Sequence, residues 1–115
     1  MKDWTAIRER YLRDDVSTRL GGLAANLSRI KSFANNENNK AVVESLIDES
    51  KHFIEWTAHE TELETEAKLV ELQVELAFWQ IKLDKIWFDV NQRNRISDKS
   101  NAWSQQILKA SGLLS

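Results

Sequence analysis

Residues 61–94 constrain the fold more than any other stretch, because they are apolar at helical spacing over nearly their whole length. One set of apolar residues, the first seam, recurs in alternating steps of three and four: Leu69, Leu72, Leu76, Trp79, Leu83, Ile86 and Val90. This spacing is typical of a helix that packs at a shallow angle against its neighbours. We therefore predict one long central helix over about 61–94, about 50 Å long at 1.5 Å per residue.

The same stretch carries a second seam of apolar residues: Val70, Val74, Ala77, Ile81 and Phe88. At about 100° per residue, the two seams lie on different sides of the helix, roughly 150° apart. A helix that is apolar on two sides must be covered twice. Either the chain covers both seams itself, or one seam faces its own bundle and the other a partner.

The first seam is unbroken and consists of large residues, so we assign it to the chain's own core. The second seam is then the predicted partner-binding surface, on which two copies meet about a twofold axis as a homodimer. A narrow polar strip is expected to border this interface and to set its register: Gln73, Gln80, Asp84 and Asn91.

Four further helices are predicted from apolar spacing and from residues that favour helix ends. They span about 3–13, 16–34, 39–58 and 98–111. The predicted fold class is all-α: an antiparallel four-helix bundle with a short extra N-terminal helix, as a single domain over 1–115. The first and last helices are expected to cover the part of the central helix that the hairpin of the second and third leaves open.

Residues that favour helix ends support these limits. Asp3 is a plausible N-cap, and Asp14, Asp15 and Ser17 offer caps for a break near 14–16, although a continuous helix through Val16 keeps the apolar register. An Asn-rich stretch, 35–39, marks a turn. Two Thr-x-x-Glu capping boxes, 57–60 and 61–64, place the next turn between 57 and 61. Gly112 fits the position after a helix C-terminus.

The second helix also carries a stripe of small residues: Thr18, Gly21, Ala25, Ser28 and Ser32. Gly21 and Gly22 each cost roughly 1 kcal/mol relative to Ala inside a helix. A tight crossing with another helix would explain them. A phosphate-binding loop is the alternative, but the chain lacks the G-x-x-x-x-G-K pattern.

Composition narrows the possible functions. The chain of 115 residues has no Cys and no Pro, which excludes disulfides and Cys-based zinc sites. No apolar run reaches the length of a membrane span and the N-terminus has no apolar signal segment, so we expect a soluble, cytoplasmic protein that does not contact the membrane.

Residues 35–80 carry a net charge of −8. This acidity argues against nucleic acid as a partner, and Arg93 and Arg95 are explained by the dipole of a helix C-terminus.

The sequence gives little support for a metal site or a catalytic site. Glu49 and His52 have the Glu-x-x-His spacing of di-iron bundles, and Glu55 and His59 share a helical face. A di-iron site needs two such motifs and further inward-facing Glu residues, whereas the chain has only two His. We therefore predict no metal, no cofactor and no catalytic residues, and we expect that the protein is not an enzyme.

The chain contains five Trp residues: Trp4, Trp56, Trp79, Trp87 and Trp103. Core packing is one interpretation, and a ligand cleft or partner surface built from Trp56, Trp87 or Trp103 is the other.

The predicted function is a protein–protein interaction or scaffold module that self-associates. A small-ligand or metal-binding helical bundle is the alternative.

Three segments together suggest a family: RLGGLAANL at 19–27, FIEWT at 53–57 and LVELQ at 69–73. The chain resembles a family of small, uncharacterised, all-helical proteins of cyanobacteria over about residues 10–90. The resemblance implies a helical bundle, and it transfers no activity, cofactor or site residue because these segments are packing motifs.

Overall fold

The computed structural model of the protein describes residues 2–113, which are all-helical. It contains five α-helices: α1 (Trp4–Leu12), α2 (Val16–Phe33), α3 (Lys40–Thr57), α4 (Leu63–Ile86) and α5 (Val90–Ser111). Single 3₁₀ turns, Glu37–Asn39 and Ala58–Glu60, precede α3 and α4. The all-α prediction is confirmed, and the predicted limits of the first three helices agree with the structure to within one residue at each end.

The prediction of one helix over 61–94 is wrong, because α4 ends at Ile86 and the chain turns at 87–89. Asp89 caps the next helix by accepting hydrogen bonds from the backbone N–H groups of Asn91 (2.9 Å) and Gln92 (3.3 Å). The Trp87 side chain is fully buried, and its Nε1 donates to the Glu37 carbonyl at 2.6 Å. The turn is thus held by a cap within the chain segment and by a contact 50 residues away.

Helix α5 runs without interruption through 95–97, the gap that the sequence prediction left between the central helix and the last helix. Ile96 and Ser97 are buried there, and the Ser97 hydroxyl donates to the Lys31 carbonyl of α2 at 3.0 Å. Ser97 therefore helps to pack α5 against α2. The predicted last helix, 98–111, is the C-terminal part of this longer helix.

The caps of the other helices divide into confirmed and unconfirmed ones. Asp3 accepts from the Ala6 N–H at 3.1 Å and Asp15 from the Thr18 N–H at 2.8 Å, so both N-caps and the break before α2 are confirmed. The predicted turn between α3 and α4 is confirmed, but its capping boxes are not: Thr61 Oγ1 donates to the Ala58 carbonyl at 2.6 Å. Gly112 ends α5 with a left-handed φ of 78°, as predicted.

The helices pack around one cluster of buried apolar residues. Helix α2 packs against α3 and α5, α4 packs against α3 and α5, and α1 lies on α3. The sequence left two arrangements open for the central helix: the chain covers both of its apolar sides, or it covers one and leaves the other for a partner. In the structure, the main neighbours α3 and α5 cover the inner side of α4, and its outer side stays open within residues 2–113.

Helices α2 and α5 have the most extensive contact of any helix pair in residues 2–113, and buried serines of α5 contribute to it. Ser97, Ser100 and Ser104 of α5 are buried, and the Ser104 hydroxyl donates to the Ala24 carbonyl of α2 at 2.8 Å. Such short side chains let two backbones approach.

The tight crossing predicted for the small residues of α2 is therefore wrong in its location. Thr18, Ala25, Ser28 and Ser32 are exposed. A Cβ at Gly21 would meet only the side chain of Leu113. Gly21 thus leaves space for the Leu113 side chain, and within residues 2–113 no backbone atom of another helix lies within 4 Å of that Cβ position.

Candidate functional site

The side of α4 that faces away from α3 and α5 is apolar and exposed. Five large side chains lie on it with exposed fractions of 55–82%: Leu63, Val70, Val74, Phe78 and Ile81. Together with Ala77 they form what we call the outer face. By contrast, the first seam is buried from Leu69 to Leu83, with at most 4% exposed.

The structure places the predicted partner-binding residues as follows. Val70, Val74 and Ile81 lie on the outer face and are exposed, and Ala77 is half-buried among them. Phe88 is also exposed, but it lies in the turn beyond α4. The prediction that part of the second seam stays uncovered in a single chain is thus confirmed for these side chains.

Sequence reasoning missed two members of the outer face, Leu63 and Phe78. Leu63 lies seven residues before Val70, so extending the second seam back by one heptad would have found it. Phe78 directly follows Ala77 and lies about 100° round the helix from it, at the margin of the seam. Its position indicates that the apolar surface is wider than a seam and continues toward α5.

A groove between α4 and α5 continues the outer face. It has a volume of about 560 Å³ and is lined by Glu71, Val74, Glu75, Phe78, Lys99, Ala102, Trp103 and Gln106. Glu75 holds its wall in place, because Oε1 accepts from Trp103 Nε1 at 2.9 Å and Oε2 from Lys99 Nζ at 2.8 Å. Phe78 and Trp103 give the groove an apolar floor beside the outer face.

The two margins of the outer face differ in charge. Toward α5, α4 carries acidic side chains in its first half, Glu64 and Glu71, and basic side chains in its second half, Lys82 and Lys85. These side chains point roughly 60–120° round the helix from Val70, at about 100° per residue. We call them the charged margin.

The margin toward α3 is engaged within the chain. Gln73 Nε2 donates to the Lys51 carbonyl at 3.2 Å, Lys51 Nζ donates to Gln80 Oε1 at 2.7 Å, and Asp84 pairs with Lys40. Gln73, Gln80 and Asp84 of the narrow polar strip, which was predicted to set the register of a dimer, thus join α4 to α3. Asn91, its last member, lies on α5 because the chain turns before it.

The candidate metal ligands on α3 make other contacts. His52 stacks on Trp4 of α1 with ring centroids 3.8 Å apart, and its Nδ1 lies 2.8 Å from the Asp48 carbonyl. Glu49 accepts from Asn26 Nδ2 at 3.1 Å. Within residues 2–113, no group of three His, Asp or Glu side chains is placed to hold a metal ion.

The tryptophans proposed for a shared cleft have separate surroundings. Trp56 contacts Trp4, Tyr11, Phe53 and His52 in an aromatic cluster where α1 lies on α3. Trp87 is in the core, and Trp103 lines the groove. Only Trp103 therefore borders the outer face.

The buried polar groups of the chain serve the fold. Arg19 forms a two-point ion pair with Glu60 at 2.9 and 3.2 Å, which lowers the pKa of Glu60 through these hydrogen bonds. Burial raises the pKa of Tyr11 well above its usual range, and its hydroxyl donates to the Arg19 carbonyl at 2.6 Å. Arg93, a candidate for nucleic acid contact, is buried and donates to the Trp87 carbonyl at 2.8 Å.

Across residues 2–113, no helix is both long and apolar enough to cross a bilayer. Comparisons with protein-family models, curated proteins and solved structures gave no match. The resemblance to the cyanobacterial family therefore stays a prediction. The structural feature that most suggests a function is the apolar outer face of α4.

Proposed function

We propose that this protein is a protein–protein interaction module that acts by association and not by catalysis. Its outer face binds a second copy of the chain, so that the working form is a homodimer. One observation carries the proposal: α4 exposes five large apolar side chains on one side, although its opposite side is closely packed. Contiguous apolar patches larger than a few hundred Å² are rare on monomeric proteins and mark interaction sites.

The outer face also has the anatomy of an interface. Its centre is aliphatic and aromatic, and charged side chains lie at its border with α5. Interfaces generally combine an apolar core with a polar rim, and aromatic residues are enriched in them. Phe78 and the adjoining Trp103 supply such residues.

The fold presents this surface on a rigid support. We infer an antiparallel four-helix bundle of α2, α3, α4 and α5 in a single domain. The contacts support this inference because they link α2 to α3, α3 to α4, α4 to α5 and α5 back to α2. In such a ring each helix has two neighbours, and α4 keeps its outward side free for a partner.

Light scattering over a range from micromolar to millimolar concentration tests the dimer. We expect the mass to rise from 13.4 kDa toward twice that value with concentration. Ile81→Glu should abolish the rise, since it places a charge on the apolar surface, while helical circular dichroism stays unchanged. Val42→Glu, the same kind of change at an exposed site on α3, is the control and should leave the dimer intact.

Two results would contradict the proposal. One is a mass that stays at the monomer value up to millimolar concentration. The other is a dimer that Ile81→Glu leaves intact, because that dimer would use another surface. Loss of helicity in Ile81→Glu would in turn show that this position belongs to the core.

A small-ligand site is the second candidate function, and the groove beside Trp103 favours it. Its volume of about 560 Å³ lies within the usual range of small-molecule pockets. A fluorescent apolar dye is a suitable probe. If the groove is a ligand site, the dye should bind the monomeric Ile81→Glu variant with one-to-one stoichiometry, and Ala102→Trp, which would fill the groove, should prevent binding.

A further inference from the structure

We propose that the two copies pair α4 against α4 in antiparallel directions, with the twofold axis crossing α4 between residues 75 and 76. This inference rests on the proposed homodimer and specifies its geometry. It is carried by two independent properties of α4: the positions of its exposed apolar residues and the order of charges along the charged margin.

Four apolar residues of the outer face are arranged symmetrically about that point. Val74 and Ala77 are equally far from it in sequence, as are Val70 and Ile81. When two such helices lie antiparallel, each residue meets its counterpart from the other copy. Val70, Val74, Ala77 and Ile81 therefore each meet an apolar residue of the second copy, along about 16 Å of helix at 1.5 Å per residue.

The charged margin has the same symmetry with opposite signs. A twofold axis that makes two helices antiparallel brings the same margin of both copies together. Lys82 then lies near Glu71 of the second copy, and Lys85 near Glu64. Each pair occurs twice in the dimer, so the acidic half of one margin meets the basic half of the other.

A parallel dimer would lack this complementarity. It would place the acidic first turns of the two α4 helices side by side, and those turns follow Glu60 and Glu62 directly in the chain. Like charges held this close repel each other. The sequence of charges along α4 therefore favours the antiparallel direction.

The margin of α4 toward α3 is also compatible with the antiparallel arrangement. Asp84 would approach Glu66 of the second copy, but Asp84 is already paired with Lys40 of its own chain. Gln73 and Gln80 are likewise bound to α3 and keep their partners. The antiparallel dimer thus needs no change in the contacts between α4 and α3.

Disulfide trapping tests the register cleanly, because the chain contains no Cys. In the antiparallel dimer, two copies of residue 74 are offset by about 4.5 Å along the helices, and two copies of residue 81 by about 16 Å. A disulfide requires Cα atoms within about 7 Å. Val74→Cys should therefore form a linked dimer on mild oxidation, at least tenfold more than Ile81→Cys or Val70→Cys alone. An equimolar mixture of Val70→Cys and Ile81→Cys should again form linked dimers.

The possible results separate this inference from the proposed function. If Ile81→Cys and Val70→Cys each link to themselves, the dimer is parallel, so the register is wrong while the dimer proposal stands. If light scattering shows a dimer but none of these variants forms a link, both the register and the outer-face interface are wrong. A protein that stays monomeric overturns both proposals.

Charge reversal provides a second test that leaves the apolar residues unchanged. Lys82→Glu together with Lys85→Glu should weaken the dimer about tenfold, since several rim ion pairs become repulsive. Adding Glu64→Lys and Glu71→Lys should restore the affinity, because it recreates both pairs in reverse. Failure of the four-residue variant to recover would overturn the antiparallel register.

Discussion

The two sides of α4 are both apolar, but only the inner side is buried within the chain. The inner side, from Leu69 to Leu83, is closely packed under α3 and α5. The outer face has similar residue types and no covering helix among residues 2–113. Apolar spacing therefore identifies the sides of a helix that need to be covered. Whether another helix of the same chain covers them depends on the rest of the fold. Changes on the inner side should affect folding, and changes on the outer face should affect association.

The largest effect is expected from Leu76→Ala on the inner side. Leu76 is fully buried, and removing a buried Leu side chain costs about 2–5 kcal/mol of unfolding free energy. Val74→Ala on the outer face should change it by less than about 0.5 kcal/mol. Urea unfolding of both, in the monomeric Ile81→Glu background, measures folding without association. Equal losses in the two variants would remove the distinction between the sides.

The next effect concerns association alone. Phe78→Ala removes an exposed aromatic ring from the margin between the outer face and the groove. We expect the dimer dissociation constant to rise about tenfold, as for a moderate interface anchor, with little change in the unfolding of the monomer. Sedimentation equilibrium gives the constant. An unchanged constant would limit the interface to the aliphatic residues.

A smaller effect should follow from Asp89→Ala in the turn that ends α4. The change removes the side chain that caps α5, which typically costs about 1 kcal/mol of unfolding free energy. Asp89→Asn keeps an acceptor and should recover most of the loss. A tighter dimer in Asp89→Ala would indicate that α4 extends past residue 89 when the cap is lost, because a longer α4 would offer a longer outer face.

The smallest effect is a pH dependence at the end of α4 that lies near α2. The Arg19 guanidinium lowers the pKa of Glu60, so this pair stabilises the fold fully above the ordinary Glu pKa of 4.5. The contribution is lost as pH falls through the lower pKa of the folded state. A double-mutant cycle with Arg19→Gln and Glu60→Gln should show coupling at neutral pH that disappears in acid. Coupling that does not fall as the solution is acidified would contradict this assignment.

Much of the fold followed from local patterns. The limits of α1, α2 and α3 and the turn before α4 agree with apolar spacing, and Asp3 and Asp15 form the caps that their positions favoured. These features depend on residues that are close together in the chain, so they can be predicted from the sequence. The burial of the first seam up to Leu83 was predictable for the same reason.

The turn at 87–89 was not predictable from spacing, because the first seam continues in register from Leu83 to Val90. Asp89 can serve equally as a surface residue of a long helix or as the cap of a new one. The choice depends on Trp87, whose indole N–H finds its acceptor at Glu37, and on Arg93, which binds the Trp87 carbonyl. Neither contact is visible until the chain is folded.

The candidate site divides in the same way. Apolar spacing alone predicted that α4 has two apolar sides, with Val70, Val74 and Ile81 on the second. That this second side stays open is a property of the folded chain, because α5 folds back from the turn at 87–89 and, with α3, covers the inner side of α4. The serines of α5 let that helix lie close against α2, so the chain fills its core without covering the outer face.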